Sequence, residues 1–314
     1  MSRAAAAEAP LARRERAASR AHYGRQERAA FAFLAPALGL IGAFFVLPVF
    51  AGLLLSLTDF DLYAIGDPSV VRVVGLGNYR QVLADPEVWN ALRVTLVYAL
   101  VGGPLSVAVS LGTAMLVSAR LARAKGLFRV IFFSPVVTTL VAVAIVFRYL
   151  YHPTYGLVDR ALAAVGLPAV DWLGDPRYAL PALIVLAVWK NFGYNMLILV
   201  AGLQSIPREQ YEAAELDGAG AWGRFRHVTL PGLAPALLFV CVMTLIGQFQ
   251  LFAEPYVMTQ GGPLRSTASL VMLMYEQGFR WWRMGLAMAI AFLLFSLMLT
   301  ATLIQLRLQR GSAR

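Results

Sequence analysis

From Ala29 to Leu57 the chain carries no charged side chain, and long apolar runs recur to the end of the sequence. A run of about 18 residues or more is long enough to cross a hydrocarbon core about 30 Å thick as a helix. In lipid no water is present to satisfy backbone groups, so such runs are helices that bond internally. The 314 residues are 59% hydrophobic and 14% charged, against about 25% charged in an ordinary soluble domain. The fold class is therefore an all-α integral membrane protein. The pattern predicts six transmembrane helices, at roughly 30–57, 93–118, 127–150, 178–203, 232–253 and 284–306.

The net charge of +10 is a basic excess of the kind nucleic-acid binders carry, but its distribution gives a different reading. Arg3, Arg13, Arg14, Arg16, Arg20, Arg25 and Arg28 precede the first span, and Arg120, Arg123, Lys125 and Arg129 fill the short second connection. Arg208, Arg224 and Arg226 lie in the fourth connection, and Arg307, Arg310 and Arg314 follow the sixth span. All fall on one side of a six-span model, whereas acids balance or outnumber bases on the other. The positive-inside rule then makes both termini cytoplasmic, and no nucleic-acid partner is implied. Residues 1–28 read as a disordered cytoplasmic tail, and residues 29–314 as one transmembrane domain without internal repeats. Glu8, Glu15 and Glu27 argue against a transit peptide. The first apolar run also exceeds the 7–15 residues, roughly, of a cleaved signal, so it is kept as a permanent helix.

Catalysis finds little support. The two lysines, Lys125 and Lys190, stand outside any G-x-x-x-x-G-K-[ST] loop, so the chain has no cradle for nucleotide phosphates. His22, His152 and His227 lie in tails or connections and form no metal-ligand spacing. Cys241, the only cysteine, has no base with which to act as a nucleophile. No cofactor, metal or enzymatic activity is expected.

Residues 205–231 interrupt the apolar pattern with charge and glycine. "SIPREQYEAAELDGAG" reads as a short helix, with Ser205 as cap, Pro207 in the first turn and Gly218 or Gly220 at the end. "AWGRFRHV" offers a second helical turn before Pro231 opens the fifth span. Tyr211, Leu216, Trp222 and Phe225 are large apolar groups for so short an exposed connection, and such patches mark partner surfaces. The spacing Glu212-Ala213-Ala214, three residues, Gly218, nine residues, Val228-Thr229-Leu230-Pro231 resembles the EAA loop of ABC-importer permeases, departing from it only in Val228 for Ile. The resemblance implies a type I ABC importer permease fold. It also implies that this loop is a coupling helix seated in a separate ATP-hydrolysing subunit, carried by Glu212, Ala213, Ala214, Asp217, Gly218, Leu230 and Pro231. "GLGNYR" (75–80), "PTYGLVD" (153–159), "AGLQSIP" (201–207) and "YVMTQGGPLRST" (256–267) further resemble the carbohydrate-uptake branch, the maltose and glycerol-phosphate type permeases, and its larger-subunit form.

The fourth span carries Trp189, then Lys190, Asn191, Tyr194 and Asn195, near mid-bilayer. Residues four apart share a helix face, so Lys190 with Tyr194 and Asn191 with Asn195 make one polar stripe. One reading is interhelical hydrogen bonding that holds the bundle together. The other follows from the resemblance, which places Trp189, Asn191, Tyr194 and Gln248 at positions lining a sugar site, with Gln250 and Lys190 added to the substrate path. Aromatic faces stack on sugar C–H groups while amides and a phenol pair hydroxyls. Lys190 departs from an uncharged position in those relatives and has two open roles, pairing an anionic solute or a helix carbonyl.

The resemblance thus implies the permease subunit of an ATP-driven, binding-protein-dependent importer of sugars or sugar-like solutes in a prokaryotic cytoplasmic membrane. Its expected partners are two ABC ATPase subunits, a homologous second permease, an extracytoplasmic solute-binding protein and membrane lipid. The alternatives are an importer of glycerol-phosphate-type anions, or, in another class, an ion-coupled secondary transporter. The latter would need carboxylates inside its spans, and the spans hold none before Glu254.

Overall fold

The computed structural model describes residues 31–119 and 124–312. The expected tail 1–28, and Arg120 and Arg123 of the second connection, lie outside the described residues. Helices account for the architecture; among the described residues β structure is limited to a single bridge between Thr58 and Val73. The chain divides into two units, residues 1–55 and 56–314.

The described residues of the first unit belong to one helix, α1 (Phe31–Ser56), widened into a π turn at Gly42–Val46. It is apolar and exposed nearly all round, the pattern of a membrane helix rather than an amphipathic one.

The second unit holds the remaining spans. α2 (Pro86–Ser118) begins several residues earlier than the hydropathy suggests. Asp85 caps it by accepting from the Glu87 N–H at 2.8 Å, and Pro86 occupies the first turn, where a missing N–H costs nothing. That opening turn mixes polar and apolar residues, which hides it from an apolar-window reading. α5 (Pro176–Ser205) starts the same way: Asp175 accepts from the Arg177 N–H, and Pro176 follows. Hydrogen bonds from Arg177 hold the Asp175 carboxyl below its ordinary range. At about 1.5 Å per residue α5 is about 45 Å long, enough for the core and both headgroup zones. α7 (Ala234–Phe249) is followed by a bend and a short helix Ala253–Met258, and α8 (Met284–Ser312) is the last span.

The third span is not one straight helix. It consists of α3 (Lys125–Val137) and α4 (Leu140–Leu150), joined at an angle of 98°. Pro135 weakens α3 one turn before the break: it lacks an N–H for the Ile131 carbonyl, and the Ser134 hydroxyl donates there instead, at 2.9 Å. Thr138 and Thr139 then take extended backbone, with ψ of 150° and 140°. The "SPVVTT" run (134–139) is the sequence sign of this break.

α5 is the most enclosed of the spans, with 67% of its apolar window buried against 22% for those of α7 and α8. Leu183, Leu186 and Ala187 of α5 pack with Tyr98 of α2 and with Val143 and Ala144 of α4. Further along, Met196, Leu199 and Val200 pack with Ala114 and Val117 of α2 and with Val240 of α7. Between these layers Gly193 lies on α3 so closely that a Cβ there would sit 1.9 Å from the Phe132 carbonyl oxygen. Small residues allow such backbone approach between membrane helices. Gly193→Ala is expected to force the two helices apart at about 1–3 kcal/mol, read as a lowered melting temperature of the detergent-solubilised protein; an unchanged temperature would refute the contact.

Motif residues outside the membrane have local work. Asn78 of "GLGNYR" donates from Nδ2 to the carbonyls of Ser56 (2.9 Å) and Thr58 (2.7 Å), fixing the chain as it leaves the first span. Arg265 of "GGPLRST" is bidentate to Glu276 (2.9 and 2.7 Å), and its carbonyl accepts from Asn90 Nδ2 at 2.8 Å. The loop after the fifth span is thereby tied to the start of α2.

Candidate functional site

Two groups of side chains stand out, and α5 connects them. The first is the connection between α5 and α7. α6 (Arg208–Leu216) forms where expected, but Pro207, not Ser205, occupies its cap position. Ser205 closes α5 instead, its hydroxyl donating to the Gly202 carbonyl at 2.8 Å. α6 ends in a left-handed residue, Gly218, at φ +78°. The Ala219 N–H bonds the Ala214 carbonyl (2.9 Å) and the Gly218 N–H bonds that of Glu215 (3.1 Å). This pair of bonds is the Schellman closure, whose central residue needs positive φ. A Cβ on Gly218 would meet nothing within 4 Å, so conformation alone imposes glycine there.

After Gly220 the chain turns back as a short helix, Ala221–Arg224, widens into a π turn at Phe225–Thr229 and reaches Leu230–Gly232. Three contacts stitch this return to the outgoing arm. The Tyr211 hydroxyl pairs with the Thr229 hydroxyl at 3.0 Å, and Arg224 pairs with Glu215. Ile206 packs against Gly232 so tightly that a Cβ there would lie 2.8 Å from its side chain. Of the four apolar groups read as a patch, Tyr211 and Phe225 are half-buried in this stitching, while Leu216 and Trp222 stand 89% and 70% exposed. Glu212, Ala213, Asp217, Leu230 and Pro231 are exposed and Ala214 is half-buried. Among the described residues Glu212 takes part in no ion pair. The arrangement is a rigid hairpin presenting Glu212, Leu216 and Trp222 outward.

The second group is the polar stripe of α5, which the structure divides. Lys190 is buried, at 8% exposure, and its Nζ donates to the carbonyls of Pro135 (3.1 Å), Val136 (3.4 Å) and Thr138 (2.9 Å). Of the two roles left open for Lys190, the helix carbonyl is the one present. Asn195 is also buried and donates to Thr244 of α7 at 2.9 Å. Asn191 and Tyr194 face outward from the unit, Tyr194 at 46% exposure. Trp189 is half-exposed, its ring 5.2 Å from that of Phe147. Gln248 lies inside the bundle beside Gly102, its amide oxygen without a hydrogen-bond partner among the described residues. Gln250 is exposed at the bend after α7. Trp189, Asn191, Tyr194 and Gln250 are therefore accessible, while Lys190 and Gln248 are enclosed.

None of these six lines the cavity of about 390 Å³ between α2, α7 and α8, which is walled by Gly103, Pro104, Val107, Ala108, Cys241, Thr244, Leu245 and Gln305. The contacts that sequence reading missed are Gly193 on Phe132 and Ile206 on Gly232. A glycine in mid-span and an isoleucine at a helix end carry no signal that distinguishes close approach from ordinary packing.

Residues 106–314 match the model of the family described as "Binding-protein-dependent transport system inner membrane component". The chain belongs to this family. The permease is 37% identical over 252 residues to the lactose transport system permease protein LacF of Rhizobium radiobacter, covering 79% of this chain and 82% of that one. It is 32% identical over 286 residues to the trehalose/maltose transport system permease protein MalF of Thermococcus litoralis, covering 91% and 95%. Among solved structures it is similar to a bacterial ABC transporter involved in import of the acidic polysaccharide alginate, with a TM-score of 0.76 at 20% identity over 92% of this chain and 98% of that one. That likeness establishes the fold, an ABC-importer permease fold of several apolar helices. The permease is a multi-pass component of the inner membrane.

Proposed function

We propose that this permease forms one half of the translocation path of an ATP-driven importer of sugars or sugar-like solutes, and that residues 205–231 couple it to a separate ATPase. The observation that carries the reading is the stitched hairpin. It is tied to both flanking spans, yet it leaves on its outer face two large apolar side chains and a carboxylate that forms no ion pair among the described residues. A surface of that composition fits a protein partner better than water. The Arg distribution supports a cytoplasmic position for this loop and both termini. Two ATPase subunits, one on each permease of a homologous pair, would supply the energy that a chain without a phosphate loop cannot generate.

The carbohydrate class rests on the relatives, whose names specify lactose and trehalose/maltose. The exposed Asn191 and Tyr194 hold the amide and phenol that hydroxyl-rich solutes pair with. They face outward from α5, where a second permease would close the path, and an extracytoplasmic binding protein would deliver the solute. The anionic alternative loses its main support, because the Lys190 N–H groups are already on carbonyls.

Purified alone, the permease is expected to hydrolyse no ATP. Turnover should appear only when its ATPase subunits are added to the reconstituted complex. Robust hydrolysis by the rigorously purified single chain would remove the proposal.

A further inference from the structure

The break in the third span leaves the last carbonyls of α3 without helical donors, at a depth where lipid offers none. The C-terminal end of a helix also carries partial negative charge, which favours a cation. Lys190 answers both needs from a different helix: one ammonium, with three N–H donors, reaches the carbonyls of Pro135, Val136 and Thr138. Gly193, less than a turn from Lys190 on α5, brings the two backbones into contact at Phe132.

α5 itself is continuous from Pro176 to Ser205 and passes through Ile206 into the stitched hairpin. On its other side Asn195 is bonded to Thr244 of α7, the span into which the hairpin returns. The hairpin, α5 and α7 are thus tied together, and the broken span is attached to them through Lys190 and the Gly193 contact. A break made of two extended residues, Thr138 and Thr139, has no helical hydrogen bonds of its own to fix its angle.

We propose that Lys190 is the positioning residue that makes the broken third span travel with α5, so that displacement of the coupling hairpin reaches α3 and α4. This rests on the coupling role given above to residues 205–231. A packing lysine would stabilise the fold equally in every state; a clamp of this kind also holds the spacing of α4 and α5 constant while the hairpin moves.

The test uses the permease assembled with its partner permease and ATPase subunits, with Cys241 replaced by alanine. Nitroxides are placed at Val141 of α4 and Val185 of α5, both exposed positions. Their separation is measured by electron paramagnetic resonance without nucleotide and after trapping with Mg-ATP and vanadate. In the parent protein the separation is expected to be the same in both states. In Lys190→Met it should broaden and shift between states by about 2 Å or more, the scale of helix displacements in switching transitions. In Lys190→Ala, ethylammonium should restore the parent behaviour by refilling the three-carbonyl site, which also covers the case in which the Met variant fails to assemble. Parent-like separations in Lys190→Met overturn the proposal, as does a shift in the parent itself, or an Ala variant indifferent to ethylammonium. A label at Leu216 reports separately on the hairpin. If vanadate trapping leaves it unchanged in the parent, the coupling role of the loop is what fails.

Discussion

Gly218→Val is expected to abolish ATP-driven uptake while the permease still inserts in the membrane at normal levels. Gly218 holds φ at +78°, a region that a β-branched residue enters only at a cost of about 1–3 kcal/mol. The closure bonds from Ala219 and Gly218 to Ala214 and Glu215 depend on that angle. Once they are lost, α6 runs on or frays, and Glu212 and Leu216 leave the positions from which the hairpin presents them. Gly218→Asn is the graded control, because asparagine tolerates left-handed backbone; it should retain part of the uptake. Glu212→Ala attacks the same surface through charge. If its carboxylate pairs a cation on the ATPase, truncation leaves that cation unpaired at about 2–5 kcal/mol. Assembly or uptake should fail without loss of the permease itself. Normal uptake by both Gly218→Val and Glu212→Ala would reduce the hairpin to a connector.

The second large effect is expected on α5. Asn191→Ala and Tyr194→Ala remove polar groups from its outward face, where each would pair a solute hydroxyl. A hydrogen-bond partner left unpaired costs about 1–3 kcal/mol, which converts to about ten- to a hundredfold weaker transport. ATPase activity of the assembled complex should survive, because the hairpin is untouched. Melting temperature should also hold, since both side chains are exposed. The contrast is Asn195→Ala, which breaks a buried bond to Thr244 and should lower stability and transport together. If all three variants behave alike, the outward face has no special part in the path.

The physics of the bilayer made the spans readable from sequence, because a run of apolar residues of that length has one solution. The hairpin was readable for another reason: Pro207, Gly218 and Pro231 each impose a backbone conformation locally. What stayed hidden depends on which helix meets which. The third span scores as one apolar segment, and Pro135 can either kink or end a helix; the 98° break became visible only with the neighbouring α5 in place. The polar stripe had the same difficulty. Helical periodicity grouped Lys190 with Tyr194, yet a long side chain beside a broken helix bends inward to carbonyls while a phenol four residues on does not. Periodicity assigns a face to each Cβ, but the partner across the interface sets where the charged end goes. Ser205 as a cap misled for a simpler reason: the helix before it ran two residues further than the apolar pattern, leaving the cap position to Pro207.

The most direct measurement is photo-cross-linking from the hairpin. A benzoylphenylalanine replaces Leu216, whose side chain is 89% exposed, and the labelled permease is irradiated in native membranes. Mass spectrometry then identifies the adduct. The account predicts a covalent link to a chain carrying a G-x-x-x-x-G-K-[ST] nucleotide-binding loop, and loss of that link when Gly218→Val is added. A permease that cross-links only to lipid, or to the same ATPase chain with and without the Gly218 substitution, would contradict it.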